Sequence, residues 1–292
     1  MYSLILKPER FSNEIYHYTD IDTCKKILKS EGLTFRMTHV KDFADKFEGR
    51  TIEVFYDMAL EHLLKHGKIS DDLYWELAEL EIPNRDFFFF NTKDNQDKLY
   101  TEVVSTDYDV YVACFSENAA SMYMEEHYIK NEKHNGCAIG LFAVNLESNS
   151  ITLSFGEGSR FRLKKVLYGE QIVNRIIEII ETLLNAYYED KAILKEVKLN
   201  LQQALSELRY TAKRSRYKNE NEVRLILMIP KGERVPSYYT PKYEPVIENG
   251  KKYIEVPLPK YVFSTIEKSN STTEEELRDV VSMLRENGYE MH

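Results

Sequence analysis

The sequence lacks the long apolar run that would mark a membrane protein and has few cysteines. No stretch approaches the roughly 18 apolar residues of a membrane-spanning helix, and residues 1–10 show no long apolar segment preceded by positive charge. The three cysteines have no C-x-x-C spacing, and each lies among apolar residues. These absences argue against membrane association and against a structural metal site, and we expect a cytoplasmic protein.

A long run of basic residues is also missing. The formal net charge is -9, and an acidic chain repels phosphate backbones unless cations gather locally. The densest basic stretch consists of Lys213, Arg214, Arg216 and Lys218, and acidic residues follow it immediately. General nucleic-acid binding is therefore not expected.

What the sequence does contain is enough apolar material for a substantial core. Hydrophobic residues make up 43% of the 292 residues, and no internal repeat or low-complexity segment interrupts them. We predict a single α+β domain over residues 1–292, built on a short-stranded mixed or antiparallel sheet. Helical insertions are expected at about residues 51–81 and 171–213, and a helix closes the chain.

The start of the chain predicts a strand, a helix and a second strand. Residues 15–19 place two tyrosines on one side and the other residues on the opposite side, the alternation of a pleated strand. Asp20 or Asp22 is expected to cap the helix that follows. Gly32 suits the left-handed position after the helix, and residues 33–38 form the second predicted strand.

The two predicted insertions show helical periodicity. Apolar residues at helical spacing predict helices at residues 51–65 and 71–80, and the aromatic run at 87–90 is expected to be buried. Residues 171–208 are too long for one ordinary helix. They predict two antiparallel helices that break near residues 189 and 190.

The remaining predicted elements complete the sheet and end the chain. Residues 222–229 alternate, so that one end of this strand is polar and the other is buried. Thr272 or Thr273 is expected to cap the last helix and Gly288 to end it. The other predicted elements are strands at 110–115, 136–144, 151–155, 160–168, 252–256 and 261–266, a helix at 118–128 and a turn at 155–159.

Several separated motifs are informative as an ordered set. They are Tyr16-His17-Tyr18-Thr19, Phe43-Ala44-Asp45-Lys46-Phe47-Glu48-Gly49, Cys114-Phe115-Ser116, Met124-Glu125-Glu126-His127-Tyr128, Gly136-Cys137-Ala138-Ile139-Gly140, Tyr217 and Glu220-Asn221-Glu222-Val223-Arg224. In this order they resemble, across nearly the whole chain, a large bacterial family known as the domain of unknown function numbered twenty-nine seventy-one. The chain resembles a divergent member, because family residues are replaced at Ala44, Lys46, Glu125 and Tyr217.

That family is more remotely similar to the ADP-ribosyltransferase fold, and several members are encoded beside phage-defence genes. The resemblance implies an ADP-ribosyltransferase-like sheet, NAD or a related nucleotide as ligand, and a role in phage defence or a stress response. It also implies positions for the site. His17 and Thr19 would hold the adenosine part of NAD, Ser116 would line the pocket, and Glu220 with Glu222 would engage the ribose.

These residue types suit the chemistry of a nicotinamide–ribose bond. Cleavage passes through an oxocarbenium-like state, which a carboxylate such as Glu222 stabilises. Glu220 lies two positions earlier, and in an extended strand it would share that face and orient or deprotonate an acceptor. Arg36 and Lys46 are candidate pyrophosphate partners, because two phosphates in an acidic protein need local cations.

Each candidate also has a structural interpretation. Glu222 and Arg224 lie two apart on one predicted face and would pair with each other. His17 between two tyrosines suits a half-buried histidine with a satisfied hydrogen bond. Ser116 at a strand end would cap the helix predicted near Asn118.

Two other functions stay open at this point. In the first, the chain is a catalytically silent sensor or protein-interaction module, whose inserted helices around Trp75 and residues 183–208 form a partner surface. In the second, Asp45, Glu48 and Glu222 hold a divalent ion in a nuclease or hydrolase. A thiol nucleophile is disfavoured, because the cysteines lie in apolar strands where a thiolate is poorly stabilised.

Overall fold

The structure is a computed structural model that describes residues 10–43, 51–83, 85–94, 96–129, 135–154, 158–190 and 193–290. It confirms a mixed α+β protein with a mostly antiparallel sheet and a C-terminal helix. The strands are β1 Glu14–Asp20, β2 Leu28–Lys29, β3 Gly32–His39, β4 Arg85–Lys93, β5 Leu99–Ser116, β6 Gly136–Phe142, β7 Arg160–Lys165, β8 Leu167–Tyr168, β9 Ala212–Lys213, β10 Glu222–Lys231, β11 Val246–Glu248, β12 Lys251–Leu258 and β13 Phe263–Lys268. The helices are α1 Ile21–Ile27, α2 Ile52–Lys65, α3 Asp71–Ala78, α4 Met122–Tyr128, α5 Ala143–Ser154, α6 Glu170–Glu189, α7 Leu194–Leu208 and α8 Glu274–Glu286.

The 18-residue strand β5 organises an 11-stranded sheet within the described chain. Along its length β5 pairs with β10 on one edge, and with β1, β3 and β4 on the other. The sheet continues from β1 through β6 to β13, and from β10 to β7. β10, which begins with Glu222, therefore has a neighbouring strand on each edge, β5 on one and β7 on the other.

The alternation predicted for β10 matches the two apolar layers of the sheet. Val223, Leu225, Leu227 and Ile229 join the main core, which also contains residues from β1, β3, β6, β12 and α8. The other face of β10 is apolar at Ile226 and Met228 and polar towards its start. Only the final residue of this strand is exposed, so the polar start lies inside the protein.

The predicted helical insertions pack against each other around a second core. Apolar residues of α2, α3, α6 and α7 form this cluster, with Ile176, Leu60 and Leu201 at its fully buried centre. The predicted break near residues 189 and 190 is confirmed, because α6 ends at Glu189. No helix of the described residues is both long enough and apolar enough to cross a membrane.

Two caps predicted from the sequence are confirmed. The side chain of Asp20 accepts a hydrogen bond from the backbone N–H of Thr23 at the start of α1. Thr273 and Glu276 form a reciprocal capping box at the start of α8. Gly288, with a φ of 71°, follows the end of α8 as expected.

Three expectations about local structure are wrong. Residues 151–154 belong to α5 and not to a strand, because no glycine or proline separates them from the helix that starts at Ala143. The aromatic run 87–90 lies in β4, where Phe88 is buried and Phe89 is 57% exposed, because neighbouring side chains of a strand point to opposite faces. Gly32 begins β3 rather than ending α1, and a Cβ there would lie 2.4 Å from the carbonyl oxygen of Leu258. Most of the turn predicted at 155–159 lies outside the described residues.

Candidate functional site

A buried group of four charged side chains lies at the start of β10. The ammonium of Lys213 lies 2.5 Å from Glu220 and 2.8 Å from Glu222. The guanidinium of Arg224 donates from Nε to Glu222 at 2.8 Å, and from a terminal nitrogen to the other oxygen at 3.1 Å. We call Lys213, Glu220, Glu222 and Arg224 the charged cluster. All four residues are buried, with exposures of 7%, 4%, 3% and 1% respectively.

The two carboxylates converge for a reason other than the predicted one. Glu220 ends a 3-10 turn, and Asn221 adopts the left-handed conformation with a φ of 43° before Glu222 begins β10. The backbone is fixed there, because Ser116 donates its hydroxyl to the carbonyl of Glu220 at 2.7 Å. The N–H of Glu117 also donates to the carbonyl of Asn221 at 3.0 Å. The shared ammonium, and not a common strand face, brings the carboxylates together.

Lys213 reaches this position through a short parallel strand pair. In β9 it pairs with Tyr168 of β8. The hydroxyl of Tyr168 in turn accepts a hydrogen bond from the backbone N–H of Glu222 at 2.8 Å. Arg224 is held from another side, because it also donates to the carbonyl of Tyr210 at 2.7 Å. The cluster therefore connects the end of the sheet to the chain that leaves the helical insertion.

The environments of the two carboxylates displace their pKa values in opposite directions. Burial disfavours the ionised form of Glu222, but Arg224 and Lys213 outweigh it and lower the pKa of Glu222 to about 2. At Glu220 burial dominates and raises the pKa, although the adjacent ammonium of Lys213 opposes it. The cluster thus holds one strongly acidic carboxyl group beside one that retains its proton more readily.

Aromatic rings and a thiol surround the cluster. The hydroxyl of Tyr128 and the thiol of Cys114 form hydrogen bonds with Glu220 and Glu222 respectively. Burial raises the pKa of Cys114 well above that of an ordinary thiol, and the negative charge of Glu222 adds to the effect. Cys114 is therefore a protonated hydrogen-bond donor rather than a nucleophile.

The structure does not bring His17 to the charged cluster. Ser116 lies between Tyr16 of β1 and Glu222 of β10, and directly paired residues on adjacent strands share a face. Tyr16 is therefore on the face of Glu222, while His17, the next residue, points to the opposite face. The expected hollow shared by His17 and Glu222 is not formed.

His17 has a structural environment of its own. Its Nδ1–H donates to the carbonyl of Cys114 at 3.0 Å, and its ring packs edge-on against Phe35 and Phe115 at 5.2 and 5.8 Å between centroids. Burial lowers the pKa of His17, which favours the neutral ring, although the carbonyl opposes this shift. Thr19 shares that face of β1 and is also buried, at 6% exposure.

Of the two predicted phosphate partners, Arg36 does not join the cluster either. Arg36 lies in β3, where its exposed guanidinium pairs with Glu248 at 2.6 Å and Glu255 at 3.2 Å and covers the ring of Tyr253. Arg36 is therefore engaged by carboxylates of β11 and β12, at a different part of the sheet from the charged cluster. Lys46 lies outside the described residues.

Sequence reasoning identified the carboxylates and the pairing of Glu222 with Arg224, but it missed Lys213, the ammonium that both carboxylates share. Lys213 was visible only as part of the densest basic stretch, and its role depends on a contact with Tyr168, 45 positions earlier in the sequence. Arg224 was expected to pair with Glu222, and it does, but inside the protein rather than on a strand surface. Ser116 accepts a hydrogen bond from the N–H of Asn118 at 3.2 Å, but the prediction that it caps a helix is wrong, because α4 begins at Met122 and Ser121 caps it.

The three carboxylates considered as ligands of a divalent ion are Asp45, Glu48 and Glu222. Within the described ranges, no group of three or more histidine, cysteine, aspartate or glutamate side chains is arranged to hold a metal ion. Two of the carboxylates proposed for such a site, Asp45 and Glu48, lie outside those ranges. The third, Glu222, already contacts two cations.

Comparisons with known proteins add no relative. Neither the family models, nor the curated proteins, nor the solved structures contain a match to this chain. The chemistry of the charged cluster is therefore the basis for a functional proposal.

Proposed function

We propose that the protein binds NAD or a related nucleotide over the charged cluster. It breaks the bond between nicotinamide and C1′ of the adjoining ribose, and it transfers that ribose to water or to an acceptor. Glu222 and Glu220 are the catalytic carboxylates of this proposal, and an ADP-ribosyltransferase-like fold is part of it. The observation that carries it is the convergence of two carboxyl groups on one ammonium, with Lys213 2.5 Å from Glu220 and 2.8 Å from Glu222. Two adjacent carboxyl groups in different environments are the arrangement in which acid–base roles separate at active sites.

The proposed reaction needs no reactant other than NAD and either water or an acceptor. The electron pair of the C1′–N bond leaves with nicotinamide, and positive charge develops on the ribose. The carboxylate of Glu222 stabilises this charge. Water, or the nucleophilic group of an acceptor, forms the new bond to C1′ and gives its proton to Glu220. The products are nicotinamide and either ADP-ribose or an ADP-ribosylated acceptor.

In this proposal Lys213 and Arg224 are positioning residues. Their contacts with Glu222 favour its ionised form and fix the direction of its carboxylate. His17, Thr19 and Arg36 have no role in it, because their contacts lie elsewhere.

Release of nicotinamide from NAD tests the proposal. The wild-type protein should release it, and Glu220→Gln and Glu222→Gln should each reduce the rate by about 100-fold or more. Glu117→Gln is the matched control, because Glu117 is also largely shielded and paired with a lysine, Lys165, at 2.8 Å. Thermal unfolding of each variant distinguishes lost chemistry from lost structure. Absence of nicotinamide release by the folded wild-type protein would reject the proposal.

One observation favours a second candidate, a catalytically silent interaction module. Both oxygens of Glu222 already accept hydrogen bonds from Arg224, and one of them also accepts from Lys213. Through Lys213 the carboxylate of Glu222 connects β10 to β9, which is a structural role. In this candidate the partner surface lies on the helical insertion, where Trp75 is 65% exposed. The nicotinamide assay separates the two candidates, because the module predicts a folded protein with no release.

A further inference from the structure

A groove of about 590 Å³ lies between β4 and α7, and none of the described residues that line it belongs to the charged cluster. Cavities of this size are typical of small-molecule sites. The polar lining includes two acidic residues, Glu81 and Asp86, and two glutamines, Gln202 and Gln203. The groove is therefore a second candidate site, separate from the one proposed for a nucleotide.

One wall of the groove is fixed by hydrogen bonds between the segment 81–83 and α7. In order of residue number, the three carbonyls of this segment accept hydrogen bonds from the side chains of Gln202, Arg209 and Ser206, at 2.8, 2.6 and 3.1 Å. Gln202 and Ser206 lie one turn apart on α7, and Arg209 directly follows this helix. A wall held in this way does not have to be ordered when a ligand binds.

Asp86 contributes a buried carboxylate to the groove. It is 4% exposed, and its carboxylate accepts a hydrogen bond from the N–H of Phe87 at 2.7 Å and pairs with the guanidinium of Arg160. These contacts leave unused part of the acceptor capacity of a carboxylate, which is about four sites. Burial raises the pKa of Asp86 although Arg160 opposes this shift, so a further cation would stabilise the ionised carboxylate.

The charged residues of the groove leave one negative charge uncompensated. Arg85 is the one basic residue among the described residues that line it, and its guanidinium donates to Asp107 at 2.8 Å. Asp86 is paired with Arg160. Glu81 is exposed, and its carboxylate forms no ion pair within the described part of the chain. The groove therefore favours a ligand with positive charge.

Acceptor and apolar groups complete the lining. The amide nitrogen of Gln202 is bound to the carbonyl of Glu81, which leaves the amide oxygen as an acceptor for a ligand. The ring of Phe87 is half-buried, and Leu199 of α7 is 51% exposed. Alkyl chains pack on such groups, and the face of an aromatic ring attracts an ammonium. A ligand that matches both parts of the groove has an alkyl chain that ends in ammonium groups.

We propose that the groove between β4 and α7 binds a small aliphatic amine. Its ammonium groups contact the carboxylates of Glu81 and Asp86, and its methylene chain packs against Phe87 and Leu199. This inference goes beyond the proposed function and does not depend on it, because no residue of the charged cluster lines the groove.

Calorimetric titration with a diaminopentane that carries an ammonium group at each end tests the inference. The wild type should bind it more tightly than pentanediol, which has the same length and no charge, and more tightly than glutarate, which has the opposite charge. Glu81→Gln should weaken binding by roughly ten-fold or more, because it removes the uncompensated charge. Glu79→Gln is the matched control, since Glu79 is also exposed and does not line the groove.

A second variant tests the location of the ligand. Leu199→Trp should abolish binding of the diaminopentane, because the larger side chain fills the groove from an exposed position of α7. Val54→Trp is its control, since Val54 is similarly exposed on α2 and does not line the groove, and it should bind as the wild type does.

Three results would overturn the inference. The first is absence of diaminopentane binding by the wild type. The second is equal binding by wild type and Glu81→Gln, or by Leu199→Trp and Val54→Trp. The third is binding that glutarate matches, or that Glu79→Gln weakens as much as Glu81→Gln does, because the groove would then not be what recognises the amine.

Discussion

Arg224 has the largest volume of the fully buried side chains in the described part of the chain, with 1% exposure. Glu222 balances its charge. Removing one partner of a buried ion pair leaves the other charge without compensation in a region of low dielectric constant. Burial of Arg224 therefore makes the folded protein dependent on this contact, whether or not the site is catalytic.

Arg224→Met should lower the free energy of unfolding by about 3–5 kcal/mol, measured by urea denaturation. The double variant Glu222→Leu/Arg224→Met should lose less than the sum of the two single variants, because it removes both charges. Arg36→Met is the control, since Arg36 has two carboxylate partners but lies exposed, and its loss should cost about 1 kcal/mol or less. Equal costs for Arg36→Met and Arg224→Met would contradict the assignment of a buried, tightly paired charge.

His17 should make stability depend on pH near neutrality. Its pKa is lowered in the folded protein, mainly by burial. The unfolded chain takes up a proton near the ordinary histidine value of about 6.5, and the folded protein does so only at lower pH. Stability should therefore fall as pH falls from about 7 to 5, by up to about 1.4 kcal/mol per pH unit from this residue.

Urea denaturation across that pH range measures the contribution of His17. His17→Gln should flatten the slope. An identical slope in wild type and His17→Gln would show that the ring is not held neutral by the fold.

At the scale of single elements, α8 depends on its first residues. The capping box of Thr273 and Glu276 satisfies backbone N–H groups that a helix start leaves unpaired, and α8 buries Val280 and Leu284 against the main core. Thr273→Ala should lower the free energy of unfolding by about 1 kcal/mol. Thr182→Ala, on an exposed position of α6, should change it by about 0.5 kcal/mol or less. A smaller loss for Thr273→Ala than for Thr182→Ala would rule out a stabilising cap.

The elements that the sequence predicted well are those whose start or end is marked by local residues. α1 and α8 have capping side chains, and α6 ends where apolar periodicity breaks. Residues 151–155 were predicted as a strand, but residues 151–154 end α5, and a pattern over so few residues does not distinguish a strand from a helix. Strand β4 was missed, because its pairing with β5 is a contact between segments that no local residue pattern specifies.

At the scale of the whole molecule, the sheet and the helical insertions have separate cores. The main core and the core of α2, α3, α6 and α7 share no residue. Polar contacts connect the two regions, including the hydrogen bond between Tyr108 and Ser206 at 2.9 Å and that between Arg224 and the carbonyl of Tyr210. We therefore expect the helical region to open at a lower free energy than the sheet.

Native-state hydrogen exchange measures this difference. Ile176→Ala, in the centre of the helical core, should lower amide protection in α2 and α6 more than in β1 and β6. Ile139→Ala in β6 is the matched control, because Ile139 is equally buried in the other core, and it should lower protection in both regions. Equal loss of protection everywhere in Ile176→Ala would show that the two cores unfold together.

The site shows what a sequence does and does not specify at this scale. The E-x-E spacing correctly indicated two carboxylates that come together, and the pairing of Arg224 with Glu222 followed from strand geometry. The placement of His17 could not be derived from its own strand. Strand alternation gives relative faces within β1, but the face that meets Glu222 depends on the register of β1 and β10 against Ser116 of β5. Lys213 likewise reaches the carboxylates only through the pairing of β8 with β9.

The most direct test of the central claim is a crystal structure of the wild-type protein with ADP-ribose. The account predicts that C1′ of the terminal ribose lies about 3–3.5 Å from the carboxylate of Glu222. ADP-ribose bound elsewhere, for example in the groove of about 590 Å³ between β4 and α7, would contradict the account. So would a structure in which the charged cluster is unchanged and no ligand lies over it.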